Sequence, residues 1–320
     1  MSFAEILGQD APIGILKRSL TTGRLAHAYL FEGVEGCGKK ATALALIEAA
    51  FCSTSGGCGL CSSCRKIRSL QHPDMHLIEP DGAFIKIDQI RSLQKELAYR
   101  PFEAPKKACI IDGAERLNQA AGNALLKTLE EPSGNALIIL ITSQPSGVLP
   151  TILSRCQRLF FHGLPEEMIT SYLVNTGIDG ESAHLAASLA GGSMKNALEI
   201  TKGTVISERK QLLTRLFGLS TGDITPLFQA AEELAAEKEK ALETIEVLTS
   251  FLRDLLLLGA EGTDIVNTDL LPLLEQLGKG LNRARIMEKI ENVASAKTAL
   301  LRNVNTRLAL EVLFMRLAER

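Results

Sequence analysis

A glycine- and lysine-rich segment near the N-terminus has the residue types that bind phosphate. Between Gly33 and Lys39 the spacing is G-x-x-x-x-G-K, with Gly36 and Gly38 inside it. An apolar run over 28–31 precedes it and an Ala/Leu-rich helical pattern over 41–51 follows, so the segment joins a strand to a helix. Glycines let backbone N–H groups turn toward phosphate oxygens, and the helix N-terminus adds its positive dipole. The Lys39 ammonium would reach the outer phosphates as a point charge.

Two positions of this arrangement do not suit nucleotide hydrolysis. A Ser or Thr normally follows the loop lysine and binds Mg²⁺, but here Lys40 follows it, and an ammonium has no lone pair. Thr42 is rotated away on the helix and is a poor substitute. A second apolar run ends on Asp112, as expected for a metal-facing carboxylate, but Gly113 stands where a water-orienting Glu is usual. We therefore expect no hydrolysis by this chain; the loop either keeps ATP or ADP, or Lys39 only caps the helix.

Four cysteines form a candidate metal site. Cys58, Cys61 and Cys64 follow the spacing C-x-x-C-x-x-C, and Cys52 lies upstream. Four thiolates so spaced can enclose a tetrahedral, structural Zn²⁺, and the glycine-rich segment between them has little else to bury. An iron–sulfur cluster is the alternative, although the C-x-x-x-C-P element of ferredoxins does not follow. The third alternative is that the four cysteines remain reduced thiols and bind no metal. Cys37 and Cys109 are interpreted as packing residues.

The elements that would position these residues alternate between strand and helix. The predicted strands are 28–32, 75–78, 107–111, 136–141 and 158–161. Helices are predicted over 41–51, from 65 to about 71, from 87 with Asp88 as N-cap, and over 118–130 with a stop at Pro132. Such alternation predicts an α/β fold with a mostly parallel sheet. After Phe161 only helical patterns follow.

Composition limits the functional class. The chain has 320 residues, 46% hydrophobic and 22% charged, and a formal net charge of −2, which argues against a generally basic nucleic-acid surface. It has no Trp, so stacking platforms for single strands are not indicated. No apolar run reaches membrane-spanning length. We expect a cytoplasmic protein that makes no membrane contact.

The order and spacing of several blocks resemble a known family. These are Leu7-Gly8-Gln9, residues 27–33, His72-Pro73-Asp74, residues 87–91, the block Asn123–Pro132 (NALLKTLEEP) and residues 149–156 (LPTILSRC). Together they resemble the AAA+ clamp loader subunits of bacterial DNA polymerase III, and within them most closely the delta-prime type. The resemblance covers residues 1 to about 200, and the C-terminal third is similar only in general pattern.

The resemblance implies a fold and a set of site residues. It implies an AAA+ domain with a five-stranded parallel sheet over residues 1–162, carrying a zinc-binding insertion at 52–64, a three-helix lid at 163–204 and a helical collar at 205–320. Arg155, in Ser154-Arg155-Cys156, matches an arginine finger that acts in trans on ATP held by a neighbouring subunit. The other implied nucleotide-site residues are Gly8 and Gln9 at the adenine pocket, Thr142 at the polar sensor position and Lys195 in the lid.

The expected role is that of an assembly subunit. The resemblance implies a five-subunit ring with the motor subunit, tau/gamma, and the delta subunit, which places a sliding clamp on primer-template DNA in the nucleoid-associated replisome. Lys40 and Gly113 favour a degenerate delta-prime-like site over the motor type. The alternatives are an active tau/gamma-type ATPase and a redox or iron–sulfur protein on the same frame. No polymerase carboxylate constellation is visible in the sequence.

Overall fold

A computed structural model describes residues 2–54, 56–131, 136–202, 205–218, 225–260, 262, 265–302 and 304–318. The chain divides into two compact units. The N-terminal unit runs to Tyr172 and includes Ala190–Asn196, and the C-terminal unit comprises Leu173–Leu189 and the chain from Ala197 onward.

The N-terminal unit is built on parallel strands joined by helices. Its strands are β1 (Ala28–Gly33), β2 (Met75–Ile78), β3 (Ala108–Asp112), β4 (Leu137–Thr142) and β5 (Gln157–Phe161). Its helices are α1 (Asp10–Thr21), α2 (Lys39–Phe51), α3 (Ser62–Arg68), α4 (Ile87–Ala98), α5 (Gln119–Glu130) and α6 (Pro150–Leu153), and short 3₁₀ turns lie at Phe3–Glu5, Ala114–Arg116 and Pro145–Gly147.

Within the described residues the strands form one sheet in the order β2-β3-β4-β1-β5. The register pairs Glu32 with Thr142 and Asp112 with Ile141. All pairings are parallel, so the carboxyl ends of β1, β3 and β4 meet at one edge. The strand order reverses at β1, where a crevice opens at this edge. The sheet therefore brings Asp112 and Thr142 to the loop that follows β1.

Both faces of the sheet are covered, which explains the unbroken apolar runs of its central strands. Alternate residues of β1 go to opposite faces: Tyr29 and Phe31 join a core with α1 and α2, whereas Leu30 joins a core with α4 and α5. The prediction that the strand ending at Ile111 is central and buried is confirmed, since the apolar residues of β3 are fully buried.

The structure corrects two local predictions. Asp88 is not the N-cap of α4, because the helix begins at Ile87 and Lys86 takes the cap position; Asp88 lies in the first turn, where its charge still suits the helix dipole. The basic helix begins at Ser62 rather than Arg65, because the Cys61 sulfur accepts from the Cys64 N–H and caps it. The helix predicted over 118–130 begins at Gln119, and the Asn118 side chain caps it by accepting from the Ala121 N–H; the proposed stop at Pro132 lies outside the described residues.

After β5, the regular elements among the described residues are all helices. Three of them, α7 (Glu166–Asn175), α8 (Gly180–Leu189) and α9 (Met194–Lys202), fall in the predicted lid segment, and α7 and α9 contribute residues to both units. The remaining helices are α10 (Val205–Gly218), α11 (Thr225–Ala235), α12 (Lys238–Leu258), α13 (Leu271–Gly278), α14 (Arg283–Leu301) and α15 (Thr306–Ala318).

The core of the C-terminal unit is made by apolar stripes of these long helices, with Phe251, Leu255 and Phe314 fully buried. Leu255 and Leu274, which lie in two leucine-rich segments, are core residues of this unit. None of the described helices is long and apolar enough to cross a membrane.

Candidate nucleotide and metal sites

A cleft of about 500 Å³ lies at the carboxyl ends of β1, β3 and β4. Its volume is in the range of small-molecule sites. It is lined by the loop after β1, by Asp112 and by Thr142, so most of the predicted nucleotide-site residues are brought together here. The charged lining residues are balanced in sign: Lys39, Lys40, Arg116 and Lys195 against Glu35, Glu79, Asp112 and Glu115.

Close backbone approaches fix the path of the loop. Gly33 has φ of 153°, and a Cβ there would lie 2.1 Å from the Phe161 carbonyl oxygen of β5. Gly36 has φ of 74°, and a Cβ there would lie 2.2 Å from Ser193 Oγ and 2.7 Å from Lys195 Cβ. Its carbonyl also accepts from the Met194 N–H at 3.2 Å. The glycines are therefore required by the left-handed backbone and by the 193–195 segment packed on the loop.

Lys39 is buried against its own loop. Only 5% of the residue is exposed, and Nζ donates to the carbonyl oxygens of Gly33 at 2.5 Å and Val34 at 2.7 Å. Burial lowers the pKa of Lys39 below its usual range. The ammonium that would bind a phosphate is thus kept beside the loop by two carbonyl dipoles.

Lys40 lies between two carboxylates. Its Nζ is 2.6 Å from Glu79 Oε1 and 3.4 Å from Asp112 Oδ2. Burial disfavours the charge, but the bonds to Glu79 and Asp112 outweigh it and raise the pKa of Lys40. Asp112 is the carboxylate predicted to face a metal, and a cation already accompanies it. The Thr42 hydroxyl donates to the Gly38 carbonyl at 2.9 Å, so the nearest hydroxyl is also engaged. These residues do not fit Mg²⁺.

Thr142 and Lys195, the residues predicted for the sensor and lid positions, both line the cleft. Thr142 is buried, and its Oγ1 accepts from the Gln144 N–H at 3.1 Å. Lys195 Nζ donates to Glu35 Oε1 at 2.9 Å, a bond that lowers the pKa of Glu35. Lys195 thus pairs with a carboxylate of the loop that follows β1.

Sequence reasoning missed Glu79, Glu115 and Arg116 as cleft residues. Glu115 Oε1 accepts from Ser143 Oγ at 3.0 Å, whereas its buried Oε2 has no partner among the residues described. The 3₁₀ turn Ala114–Arg116 brings Glu115 back to the cleft after Gly113. Two charged residues, Glu115 and Arg116, follow Asp112 within this turn and could have signalled it.

Gly8 and Gln9 lie beside the loop. The Gln9 amide is buried, and Nε2 donates to the carbonyls of Cys37 at 3.1 Å and His162 at 2.7 Å, so it ties the phosphate loop to the end of β5. A Cβ at Gly8 would lie 2.6 Å from Leu164 Cδ2. Neither residue is among the described residues that line the cleft.

Arg155 lies in the turn that follows α6, on the surface of the N-terminal unit. Its guanidinium forms an ion pair with Glu130 of α5, with Nη2 2.6 Å from Oε1, and Nη1 donates to the Thr151 carbonyl at 2.9 Å. Of the residues described, those that line the cleft do not include Arg155. About a third of its side chain, 36%, is exposed, so it can be reached from outside.

The four predicted cysteine ligands come together. The sulfur atoms of Cys52, Cys58, Cys61 and Cys64 all lie within 4.8 Å of one another. In a tetrahedral Zn–S₄ site with bonds of about 2.3 Å, sulfur atoms are about 3.8 Å apart, so the cluster is close to the size required. Cys52 follows the end of α2 and Cys64 lies in the first turn of α3, so two helix ends frame the cluster.

Backbone N–H groups point at the sulfur atoms of this cluster. Cys58 N–H donates to Cys52 Sγ at 3.3 Å, Cys61 N–H to Cys58 Sγ at 3.4 Å, and Cys64 N–H to Cys61 Sγ at 3.5 Å. Such bonds favour thiolates over thiols, and thiolates are the form that binds Zn²⁺. Cys37 and Cys109 are buried in the sheet cores, which confirms their interpretation as packing residues.

The neighbouring segment is held by a buried polar network. His72 contacts Ser63 Oγ at 3.0 Å, and the Asp74 carboxylate accepts from the N–H groups of Phe102, Glu103 and Ala104 at 2.7–2.9 Å. These contacts make His72 a hydrogen-bonded structural residue. Burial opposes ionisation of Asp74, but the three backbone donors prevail and lower its pKa.

Fold and cleft together define a class of protein. A parallel sheet ordered β2-β3-β4-β1-β5, with a phosphate loop between β1 and α2 and helical regions after it, is the architecture of an AAA+ protein. Two family models match the chain: "DNA polymerase III, delta subunit" over residues 8–165 and "DNA polymerase III, delta subunit, C terminal" over residues 204–319.

Similar proteins of known type identify the family to which the chain belongs. The chain is 33% identical over 318 residues to DNA polymerase III subunit delta' of Bacillus subtilis, covering 97% of this chain and 96% of that protein. It is 31% identical to subunit delta' of Haemophilus influenzae, over 72% of this chain and 70% of that one. It is also 33% identical to subunit tau of Escherichia coli, over 75% of this chain but 40% of tau. The chain belongs to the delta-prime family of DNA polymerase III subunits.

Proposed function

We propose that this chain is a non-hydrolysing subunit of the DNA polymerase III clamp loader that supplies Arg155 in trans to ATP bound by a neighbouring subunit. Its neighbours would be motor subunits of the tau/gamma type and a delta subunit in a five-subunit ring, and the ring would place the sliding clamp on primer-template DNA. Family membership supports the clamp loader role. We place the domain borders at residues 162 and 204, as the family resemblance implies.

The pairing of Lys40 with Asp112 is the observation that carries this proposal. An ammonium 3.4 Å from the carboxylate expected to face a metal removes the means of binding Mg²⁺, and Gly113 removes the water-orienting carboxylate. Arg155, by contrast, is partly exposed and held by polar contacts to Glu130 and Thr151. A planar, permanently charged guanidinium suits charge that develops on a γ-phosphate.

We further propose that Cys52, Cys58, Cys61 and Cys64 bind one structural Zn²⁺. The four sulfur atoms occupy all positions of a tetrahedral site, so no position is left for a substrate. The bound ion would join the end of α2 to the start of α3, and the glycine-rich segment between them would fold around it. An iron–sulfur cluster would instead give visible colour and iron in the purified protein.

The decisive experiment is ATPase turnover of the reconstituted five-subunit loader, stimulated by clamp and primed DNA, with Arg155→Ala and Lys39→Ala made separately in this chain. Loss of an arginine finger can reduce the rate at the affected site by about 10³–10⁵-fold. We expect a sharp loss with Arg155→Ala and little change with Lys39→Ala. Arg155→Lys should not restore turnover, because a lysine lacks the planar fork.

Arg24→Ala is the matched control, since it removes an exposed arginine elsewhere in the same unit. If Lys39→Ala proves the damaging change, the chain is an active ATPase of the tau/gamma type, and the proposal is refuted. If Arg155→Ala, Lys39→Ala and the control Arg24→Ala all leave the ATPase rate unchanged, the arginine-finger role is refuted. The proposed clamp loader role would then rest on family membership alone.

A further inference from the structure

Arg68 is the last residue of α3, and its side chain extends toward the cysteine cluster. Cys61 caps the helix, and Cys64 and Arg68 follow on the same face. A Cβ built on Gly59, which lies between Cys58 and Cys61, would be 2.6 Å from Nη2, 3.0 Å from Cζ and 3.2 Å from Nη1 of Arg68. The guanidinium therefore lies directly against the backbone of the 58–61 segment.

The same guanidinium is anchored on α2. Its Nε donates to Glu48 Oε1 at 3.1 Å, and the Glu48 side chain is fully buried. A second carboxylate, that of Glu5 in the first 3₁₀ turn, lies 3.6 Å from Nη2. Because a buried carboxylate is costly without a cationic partner, Glu48 holds the guanidinium in place. The Arg68 side chain thus joins α2 to the 58–61 segment.

This contact lies where it can act on the metal ligands. Gly59 has a left-handed φ of 71°, and it belongs to the turn in which the Cys61 N–H donates to Cys58 Sγ at 3.4 Å. Zn²⁺ with four thiolates carries a net negative charge, which a neighbouring guanidinium partly offsets. Residues that orient metal ligands without touching the metal typically contribute about 10–100-fold in metal affinity.

We propose that Arg68 is a positioning residue of the zinc site: its guanidinium fastens the 58–61 segment to Glu48 of α2 and so fixes the ligands of that segment before the ion binds. Because less of the segment has to be ordered on binding, the ion is held more tightly. The inference rests on the proposed zinc site. It gives that site a residue outside the four cysteines.

The test is competition between the full chain and a chelating dye for Zn²⁺, which gives the dissociation constant of the bound ion. We expect Arg68→Ala to raise this constant about tenfold, at the lower end of the usual range because 38% of the side chain is exposed. Arg65→Ala is the matched control and should leave the constant unchanged. It removes an exposed arginine of the same helix that has no ion-pair partner within the described part of the chain.

Arg68→Lys provides a second variant if Arg68→Ala does not fold, which thermal melting will show. A lysine keeps a charge for Glu48 but lacks the planar group that lies against Gly59, so Arg68→Lys should bind zinc more weakly than the unaltered chain.

A pair of glycines separates positioning from general stability. Gly59 and Gly56 both have left-handed φ, of 71° and 79°, but a Cβ at Gly56 would meet nothing within 4 Å. Gly59→Ala should therefore weaken zinc binding more than Gly56→Ala, and this excess should disappear when Arg68→Ala is also present. The visible absorption of the Co²⁺-loaded chain, which reports ligand geometry, should shift in Arg68→Ala and not in Arg65→Ala.

The outcomes distinguish this inference from the zinc site itself. If the Arg68 variants bind zinc as tightly as Arg65→Ala, the inference is overturned while the four-cysteine site stands. An excess at Gly59 that persists without the Arg68 side chain, or an unchanged Co²⁺ spectrum in Arg68→Ala, also overturns it. If the unaltered chain binds no zinc, the proposed zinc site is refuted, and the role of Arg68 with it.

Discussion

The ion pair between Arg155 and Glu130 leads to a prediction about how the arginine finger that we propose would be released. To reach ATP on a neighbouring subunit, the guanidinium must give up its contact with Glu130, in which Nη2 is 2.6 Å from Oε1. The ion pair with Glu130 therefore competes with the contact that Arg155 would make with ATP on the neighbouring subunit. Glu130→Gln keeps the shape of the side chain and removes its charge, so it should favour the engaged finger.

The expected size of the change in turnover follows from the solvent exposure of the Arg155 and Glu130 side chains. The two side chains are 36% and 49% exposed, so water screens the pair, and such pairs contribute about 0.2–1 kcal/mol. Converted at about 1.36 kcal/mol per tenfold change, this range corresponds to a factor of about 1.4 to 5. We expect Glu130→Gln to raise the turnover of the reconstituted loader by a factor in this range. The gain should shrink at high ionic strength.

The assay is stimulated ATPase at low and high salt, with Glu131→Gln as the control that removes the same charge one residue further along. A fall of tenfold or more with Glu130→Gln, and not with Glu131→Gln, would refute the reasoning. It would mean that Glu130 holds the finger in its working position rather than competing for it.

Three further predictions concern the loop, the metal and the pH dependence of stability. Gly36→Ala should lower the melting temperature more than Gly23→Ala. Both residues have left-handed φ, but only a Cβ at Gly36 would meet neighbours, Ser193 Oγ at 2.2 Å and Lys195 Cβ at 2.7 Å. Equal decreases in melting temperature would contradict the packing of 193–195 on the loop. Cys64→Ser should reduce bound zinc, measured by atomic emission, from about one ion per chain to a small fraction, whereas Cys156→Ser should leave it unchanged. The pKa of Asp74 is lowered in the folded chain, so its stabilisation is complete above the unfolded value of about 3.9 and is lost as the pH falls toward the folded one. The unaltered chain should thus melt at a higher temperature than Asp74→Asn, by an amount that is constant from pH 7 to about 5 and shrinks below about 4. A difference in melting temperature that does not change with pH would refute the role of the Asp74 charge.

Much of the fold could be read from local pattern. The unbroken apolar runs that became β3 and β4 are buried on both faces of the sheet, which is why they show no alternation and why their positions were predicted to within about one residue. The Asn118 cap was not predicted, because the helix was placed over 118–130 and so included Asn118 as its first residue. The Asp88 cap was predicted wrongly, because an acidic residue in a first turn and one at the cap give similar local patterns.

In the candidate sites too, some features could be predicted from local sequence and others depended on the fold. Lys40 could be identified as a departure from the phosphate-loop motif, and Gly113 as a departure from the residue expected after the strand that ends at Asp112, because both patterns are local. The cysteine spacing is local as well. Whether Cys52 belongs with the other three depended on the path of the chain, and the fold brings its sulfur into the cluster. The sequence alone likewise did not indicate that Lys39 is held by its own loop.

What the sequence by itself determined is therefore the order of strands and helices, the phosphate-loop spacing with Lys40 after its lysine, and the membership of a family. Only the tertiary structure decided the partners of the charged groups: Glu79 for Lys40, 39 residues away, and Glu35 for Lys195, 160 residues away. The physical reason is that backbone hydrogen bonding and hydrophobic periodicity act over a few residues, whereas an ion pair depends on distance in space, which exists only once the sheet has brought its strand ends together.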